Sequence, residues 1–298
     1  MLMLAALIWG AAFTAQSVGM DYVGPFTFNC VRSLIGAVSL LPVALMFNRK
    51  KPHDIAQTTD NTAKPTNKTN HQGKTLIIAG ITCGAALFVS SSLQQVGIVY
   101  TTTGKAGFIT ALYIIIVPIL GLFFKRKVSP IVWLSAVVAV AGLYLMCINE
   151  GLAVNIGDML TLLCALGFSI HILMIAHFSP RVDAVKLACT QFFVCSVLSA
   201  IPMFLLEKPD FGFILAAWLP LLYAGVLSCG VAYTLQIIGQ RDSDPTIASL
   251  IMSLESVFAA LVGWLVLGEM LSTKEFIGCA LVFAAVVLTN LPFRKTAP

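Results

Sequence analysis

Glu255, Arg32 and Lys105 are ionisable side chains set inside stretches that are otherwise apolar. An ionised group at the middle of a bilayer is destabilising by at least about 2–3 kcal/mol unless it is paired or hydrated, so each needs a reason to be there. Glu255 admits two. It is a protonatable carboxyl that couples solute movement to protons or counters an amine on the solute, or it is structural glue held by hydrogen bonds between helices. Arg32 and Lys105 fall one to two turns inside the outer ends of their stretches. They either snorkel to the outer interface or ring the mouth of a cavity and hold anionic groups such as a carboxylate. Glu269, at the end of an apolar run, reads as a cap or as a partner for such a cation.

Uncharged polar residues form a second set. Gln94 and Gln236 occupy matching places in the two halves of the chain, and Ser91 and Tyr233 match one helical turn earlier, on the same face. Polar faces related in this way are what a cavity shared between two halves requires; hydrogen bonding between helices without any solute is the alternative. Trp9, Gln16, Tyr113 and His171 complete the candidates. Trp9 stacks on an aromatic or apolar solute, or simply packs. His171 titrates near neutral pH, or rests in a hydrogen bond. The eight cysteines all lie in apolar stretches with no C-x-x-C pair, and read as packing residues. Neither H-E-x-x-H, G-x-S-x-G nor a Walker A sequence occurs, so a membrane-embedded protease, hydrolase or ATP-driven pump has no motif to stand on. His177 and Asp183 flank a loop containing Pro180 and Arg181, a poor setting for a catalytic pair. No sequence resembles a channel filter, and no metal or cofactor is expected.

Holding such groups requires elements that cross a membrane. Hydrophobic residues make up 58% of the 298 and charged residues 10%, against about 25% charged in soluble domains. Ten apolar runs follow one another, at residues 1–18, 26–48, 75–95, 102–124, 130–148, 156–176, 184–206, 213–240, 246–267 and 274–291. A run of about 20 apolar residues spans a bilayer as a helix. Barrel strands would alternate with period two, which these runs do not. Of the 18 basic residues, 14 fall in alternate gaps or the tail if the amino terminus is placed inside. Arg49, Lys50, Lys51, Lys125, Arg126, Lys127, Arg181 and Arg241 are among them. Only Lys208 and Lys274 fall in the outer gaps, so both termini face the cytoplasm. The net charge of +5 therefore sets orientation and gives no reason to expect nucleic acid. The polar segment 49–74 reads as a mobile cytoplasmic linker. Its Asn67-Lys68-Thr69 sequon lies on the wrong side for glycosylation.

The chain also carries a weak internal repeat. Leu93-Gln94 through Gly97 to Leu112 aligns with Leu235-Gln236 through Gly239 to Leu254. Val128-Ser129-Pro130 aligns with Leu271-Ser272-Thr273, and Pro42 matches Pro202. Halves of five spans each, residues 1–149 and 150–298, must insert oppositely because five is odd. Such inverted repeats characterise secondary transporters with a site near the midplane. Gly80-x-x-x-Gly84 predicts a close helix approach.

At these residues the chain resembles a family. Leu7-Ile8-Trp9-Gly10-Ala11-Ala12-Phe13 is similar to the opening Trp-Gly-x-x-Phe of the drug/metabolite transporter superfamily, EamA type. Tyr100-Thr101-Thr102-Thr103-Gly104-Lys105-Ala106-Gly107-Phe108-Ile109-Thr110 resembles the fourth-helix signature of its first repeat. Leu254-Glu255-Ser256-Val257-Phe258-Ala259-Ala260 and Leu267-Gly268-Glu269-Met270-Leu271-Ser272 resemble the end of its second repeat. Ser256 stands where a proline is common, which puts a kink there in question, whereas Pro118 supplies one in the other half. The resemblance assigns residues 1–18 to a first helix, although the small residues 11–15 would also suit a cleaved signal peptide. It implies an all-α polytopic membrane protein of ten transmembrane helices, carrying small metabolites or drugs mostly outward across the cell membrane. The expected mechanism is alternating access by a monomer, driven by the proton gradient or by the solute's own gradient in facilitated efflux. The cargo is left open.

Overall fold

The computed structural model describes residues 1–48, 68–126, 128–147, 155–262, 264–265 and 272–290. Among them every regular element is helical, as hydrocarbon demands of a backbone that must satisfy its own polar groups. In chain order the helices are α1 (Leu2–Met20), α2 (Pro25–Asn48), α3 (Lys68–Tyr100), α4 (Thr103–Ala111), α5 (Tyr113–Phe123), α6 (Pro130–Cys147), α7 (Ile156–Phe178) and α8 (Ala184–Leu206). They continue with α9 (Phe211–Ala216), α10 (Trp218–Leu222), a π-helical stretch (Tyr223–Ala232), α11 (Tyr233–Arg241), α12 (Pro245–Met252), α13 (Leu254–Val262) and α14 (Thr273–Asn290). Eight helical stretches are long and apolar enough to cross a membrane, and Pro130–Met146 is a shorter apolar helix. Outward-facing side chains such as Phe123, Phe204, Leu205 and Phe211 are apolar and exposed, which suits contact with lipid.

Helices occupy the ten expected runs, eight of them long and apolar enough to cross a membrane, with three differences. α3 starts at Lys68, so the end of the expected linker is helix; the rest of that linker, like Glu269 and the basic tail, lies outside the described residues. The run 213–240 is not one regular helix but passes through ten residues of π-helix. The runs 102–124 and 246–267 are each broken, at Leu112 and at Ser253. Pro118 sits inside α5, but no proline marks the second break. There Ser253 Oγ donates to the Leu250 carbonyl (2.8 Å) and so competes with the helical ladder. Pro42 and Pro202 lie inside α2 and α8, in matching places as expected.

Side chains define where helices start. Asp183 accepts from the Lys186 N–H at the head of α8, so it is occupied as a cap rather than paired with His177. Glu207 reaches across the fold to α2, accepting from the N–H groups of Phe26 (2.9 Å) and Thr27 (2.7 Å) and from Thr27 Oγ1 (2.6 Å). At the opposite end Arg241 donates to the carbonyls of Ser179 (3.0 Å) and Val182 (2.8 Å). The turns expected outside and the turns expected inside thus tie together at their own ends.

Packing between the halves is reciprocal. α1 packs on α13 and on the π stretch, while α7, its counterpart in the second half, packs on α4, α5 and α3. α2 packs on the π stretch and α8 on α3; α2 also meets α8, and α6 meets α14. Exchanging each of these helices for the one at the same place in the other half of the chain returns these principal pairings. Two of these seams depend on glycine. A Cβ on Gly84 would come within 2.7 Å of the Gln191 carbonyl, so the Gly80/Gly84 face that predicted close approach is pressed on α8. At the α6–α14 seam, a Cβ on Gly142 would lie 2.7 Å from the Gly278 carbonyl, and one on Gly278 would lie 2.5 Å from that of Gly142.

Candidate functional site

Helices from both halves line a partly open cavity with about 690 Å³ of empty space, the open solvent at its mouth included. The first half contributes Trp9, Phe13 and Gln16 from α1, Arg32 and Ser33 from α2, Leu87, Ser91 and Gln94 from α3, Thr110 from α4 and Tyr113 from α5. The second half contributes Phe168, His171 and Ile172 from α7, Phe192 and Cys195 from α8, and Ser228 and Cys229 from the π stretch. Tyr233 and Gln236 come from α11, Met252 from α12 and Glu255 from α13. Ten of the eleven residues singled out in the sequence line this space.

Lys105 is the eleventh, and it is elsewhere. Its ammonium pairs with Asp158 (2.9 Å) at the head of α7, both side chains being largely buried. Asp158 also accepts from Thr101 Oγ1 (2.6 Å) and the Asn155 N–H (3.1 Å), completing a capping box. The expectation that Lys105 helps ring the cavity gives way to a link between α4 and α7.

Arg32 is 6% exposed and donates from Nη1 to Gln16 Oε1 (2.8 Å). Its guanidinium also lies over the Phe28 ring, 5.5 Å from the centroid. Among the described residues no carboxylate comes within 4 Å of it, whereas Lys105 pairs with Asp158. Opposite in charge, Glu255 is 5% exposed, and its Oε1 accepts from Tyr113 Oη at 2.9 Å. Tyr113 and Glu255 are separated by the same 142 positions as Gln94 and Gln236. The hydrogen bond therefore joins matching positions of the two halves, at the two helix breaks. Ser256 Oγ reinforces the junction by donating to the Gly107 carbonyl of α4 (3.2 Å).

Tyr233 is the hub of an aromatic wall, edge-on to Trp9 (4.8 Å between centroids), Phe192 (5.0 Å) and His171 (6.0 Å). His171 Nε2 is hydrogen-bonded with Gln191 Oε1 (3.1 Å). Gln94 donates to Thr110 Oγ1 (3.2 Å). Ser91 and Ser33 both lie against Cys195 Sγ, at 3.9 and 3.5 Å. Two buried polar atoms facing this region have no hydrogen-bond partner: Trp9 Nε1, a donor, and Gln236 Oε1, an acceptor. The site can thus offer a cation, a carboxyl, an unused donor, an unused acceptor and aromatic faces within one enclosure.

Several lining residues carry no signal as isolated letters. Phe13, Phe168 and Ile172 are apolar residues in apolar helices, although Phe13 shares a face with Trp9 and Phe168 with His171. Cys195 and Cys229 were expected only to pack; both are free thiols, and both line the cavity. Cys229 and Ser228 both lie in the π stretch, and π-helix often marks functional sites.

Comparison with known proteins comes out consistently. The EamA-like transporter family matches residues 1–148 and again residues 155–291. An uncharacterized transporter of Archaeoglobus fulgidus is 32% identical over 97% of this chain and 84% of its own length. The uncharacterized transporter YoaV of Bacillus subtilis is 21% identical over 97% of this chain and 95% of its own. A protein of known crystal structure superposes with a TM-score of 0.76 at 16% identity, covering 97% of this chain and 95% of that one, and so shares the fold.

Proposed function

The chain belongs to the EamA-like transporter family, and from that premise we propose that it is a secondary carrier. It moves a small metabolite or drug through the central cavity by alternating access of two oppositely inserted five-helix repeats, residues 1–149 and 150–298. The observation that carries this reading is the cavity itself. It lies between the halves, is walled by helices of both, and draws matching residues, Gln94 with Gln236 and Ser91 with Tyr233, onto one enclosed surface. The reciprocal packing and the double family match support the repeat. The broken helices α4–α5 and α12–α13 supply elements able to bend where they meet the site.

In this reading all ten helical tracts cross the cell membrane, with both termini in the cytoplasm. The distribution of basic residues and the separate clustering of the two sets of turns support that orientation. A single chain contains the whole pathway, so the monomer is the working unit, and the direction is outward. Glu255 is the proton-coupling group: a carboxyl that reaches the cavity and is held by Tyr113 can exchange a proton there while the halves rock.

A thermal-shift screen of the purified protein against a metabolite library would name a cargo, and flux of that labelled solute into proteoliposomes would test the carrier. Wild type is expected to accumulate solute against a gradient and Glu255→Gln to lose accumulation. Accumulation that survives an uncoupler would eliminate proton coupling, and a wild-type protein that binds but moves nothing would eliminate the carrier.

A further inference from the structure

We propose that the cavity is built for a monocarboxylate, its carboxylate seated on the guanidinium of Arg32 and its apolar body lying against Trp9, Phe192 and Tyr233. This deepens the carrier reading, since it takes the cavity to be the solute site. An arginine side chain carries a cation, yet the protein offers Arg32 a neutral amide oxygen from Gln16 and a ring face from Phe28, with no carboxylate within 4 Å among the described residues. A buried cation without a counter-charge is strongly unfavourable, and truncating one side of such pairs shows how much the charge demands. The guanidinium fork matches a carboxylate with two parallel hydrogen bonds. A second observation agrees with this ligand. The cavity-lining residue Trp9 carries in Nε1 a buried donor without an acceptor among the described residues, and a carboxylate oxygen can accept from it. One guanidinium balances one negative charge. A dicarboxylate or phosphate monoester would bring a second charge into an enclosure that also holds Glu255.

The test is calorimetric titration of the full chain in lipid nanodiscs with four probes: 3-phenylpropanoate, 4-methylpentanoate and the neutral amide of each. Wild type is expected to bind each acid at least about tenfold more tightly than its amide. In Arg32→Gln the acid and amide should bind alike, whereas Arg32→Lys should keep a reduced preference, which separates loss of charge from loss of fold. Equal binding of acid and amide by wild type, a preference that persists in Arg32→Gln, or no binding of either acid would each overturn the proposal. The measurement involves no flux. A protein that shows the preference but moves no solute would end the carrier reading and leave this one standing, and a carrier without the preference would do the reverse.

Discussion

A single hydroxyl holds the buried carboxyl of Glu255. Tyr113 Oη is its donor, so Tyr113→Phe leaves one of the carboxyl oxygens without its bond. Hydrogen bonds between membrane helices are worth about 0.6–2 kcal/mol. Tyr113→Phe is therefore expected to lower stability by about 1 kcal/mol in thermal unfolding, with the cavity still formed. Lys105 makes a contrasting case: Lys105→Met breaks the pair with Asp158 but leaves Thr101 and the Asn155 N–H as donors to it. A destabilisation of about 1 kcal/mol, with the affinity of any cavity ligand unchanged, is the outcome expected from a titration alongside a melting curve. Both residues stood out in the sequence for the same reason, polarity in an apolar run. Only the partner distinguishes them, and Asp158 lies 53 positions from Lys105, beyond any local pattern. Gln94, Gln236, Ser91 and Tyr233 were legible because duplication supplies a second copy to compare. Phe13, Phe168 and Phe192 were not, since an apolar residue facing a cavity and one facing lipid are spelled alike.

Helix breaks and the π stretch belong to the scale of elements, and there the sequence was a weaker guide. Apolar composition fixes that a run crosses hydrocarbon but says little about its hydrogen-bond ladder. Pro118 announced irregularity in α5, whereas the break at Ser253 and the π turns at Tyr223–Ala232 carry no proline. Ser256 is the third residue of α13, within the first turn, where a proline's fixed φ is tolerated, but its N–H donates to the Ser253 carbonyl (3.2 Å) and that bond would be lost. Ser256→Pro should accordingly cost about 1–2 kcal/mol, while Val282→Pro in the middle of α14 should cost about 3 kcal/mol or more, both read from melting temperatures. Similar losses for both would show that the Ser256–Gly107 bond matters more than the turn geometry. At the α6–α14 seam, Gly278→Val drives a side chain onto the Gly142 carbonyl. Overpacking of this kind destabilises by about 1–3 kcal/mol, readable as a lowered unfolding midpoint.

For the whole molecule, the length and apolar composition of the runs already indicated an all-helical membrane protein, because bilayer thickness acts on long segments. What they left open was which helices meet, since apolar faces in lipid have no solvent to sort them. Close approach at small residues and interlocking polar groups settle that. Orientation is testable directly. With Arg181→Cys and Lys208→Cys prepared separately, a membrane-impermeant thiol reagent added to intact cells should label only the Lys208→Cys protein. Labelling of both, before the membrane is opened, would defeat the five-plus-five arrangement.

The bond between Tyr113 and Glu255 bears on how such a protein arose. In an ancestor assembled from two separate identical subunits, a position lying on the dyad would meet its own copy: phenol against phenol, or acid against acid. Joining the copies into one polypeptide frees each to diverge, so that one becomes a donor and the other an acceptor. If the two halves descend from such a fusion, the fused chain can hold one carboxyl where a perfectly symmetric pair would place two.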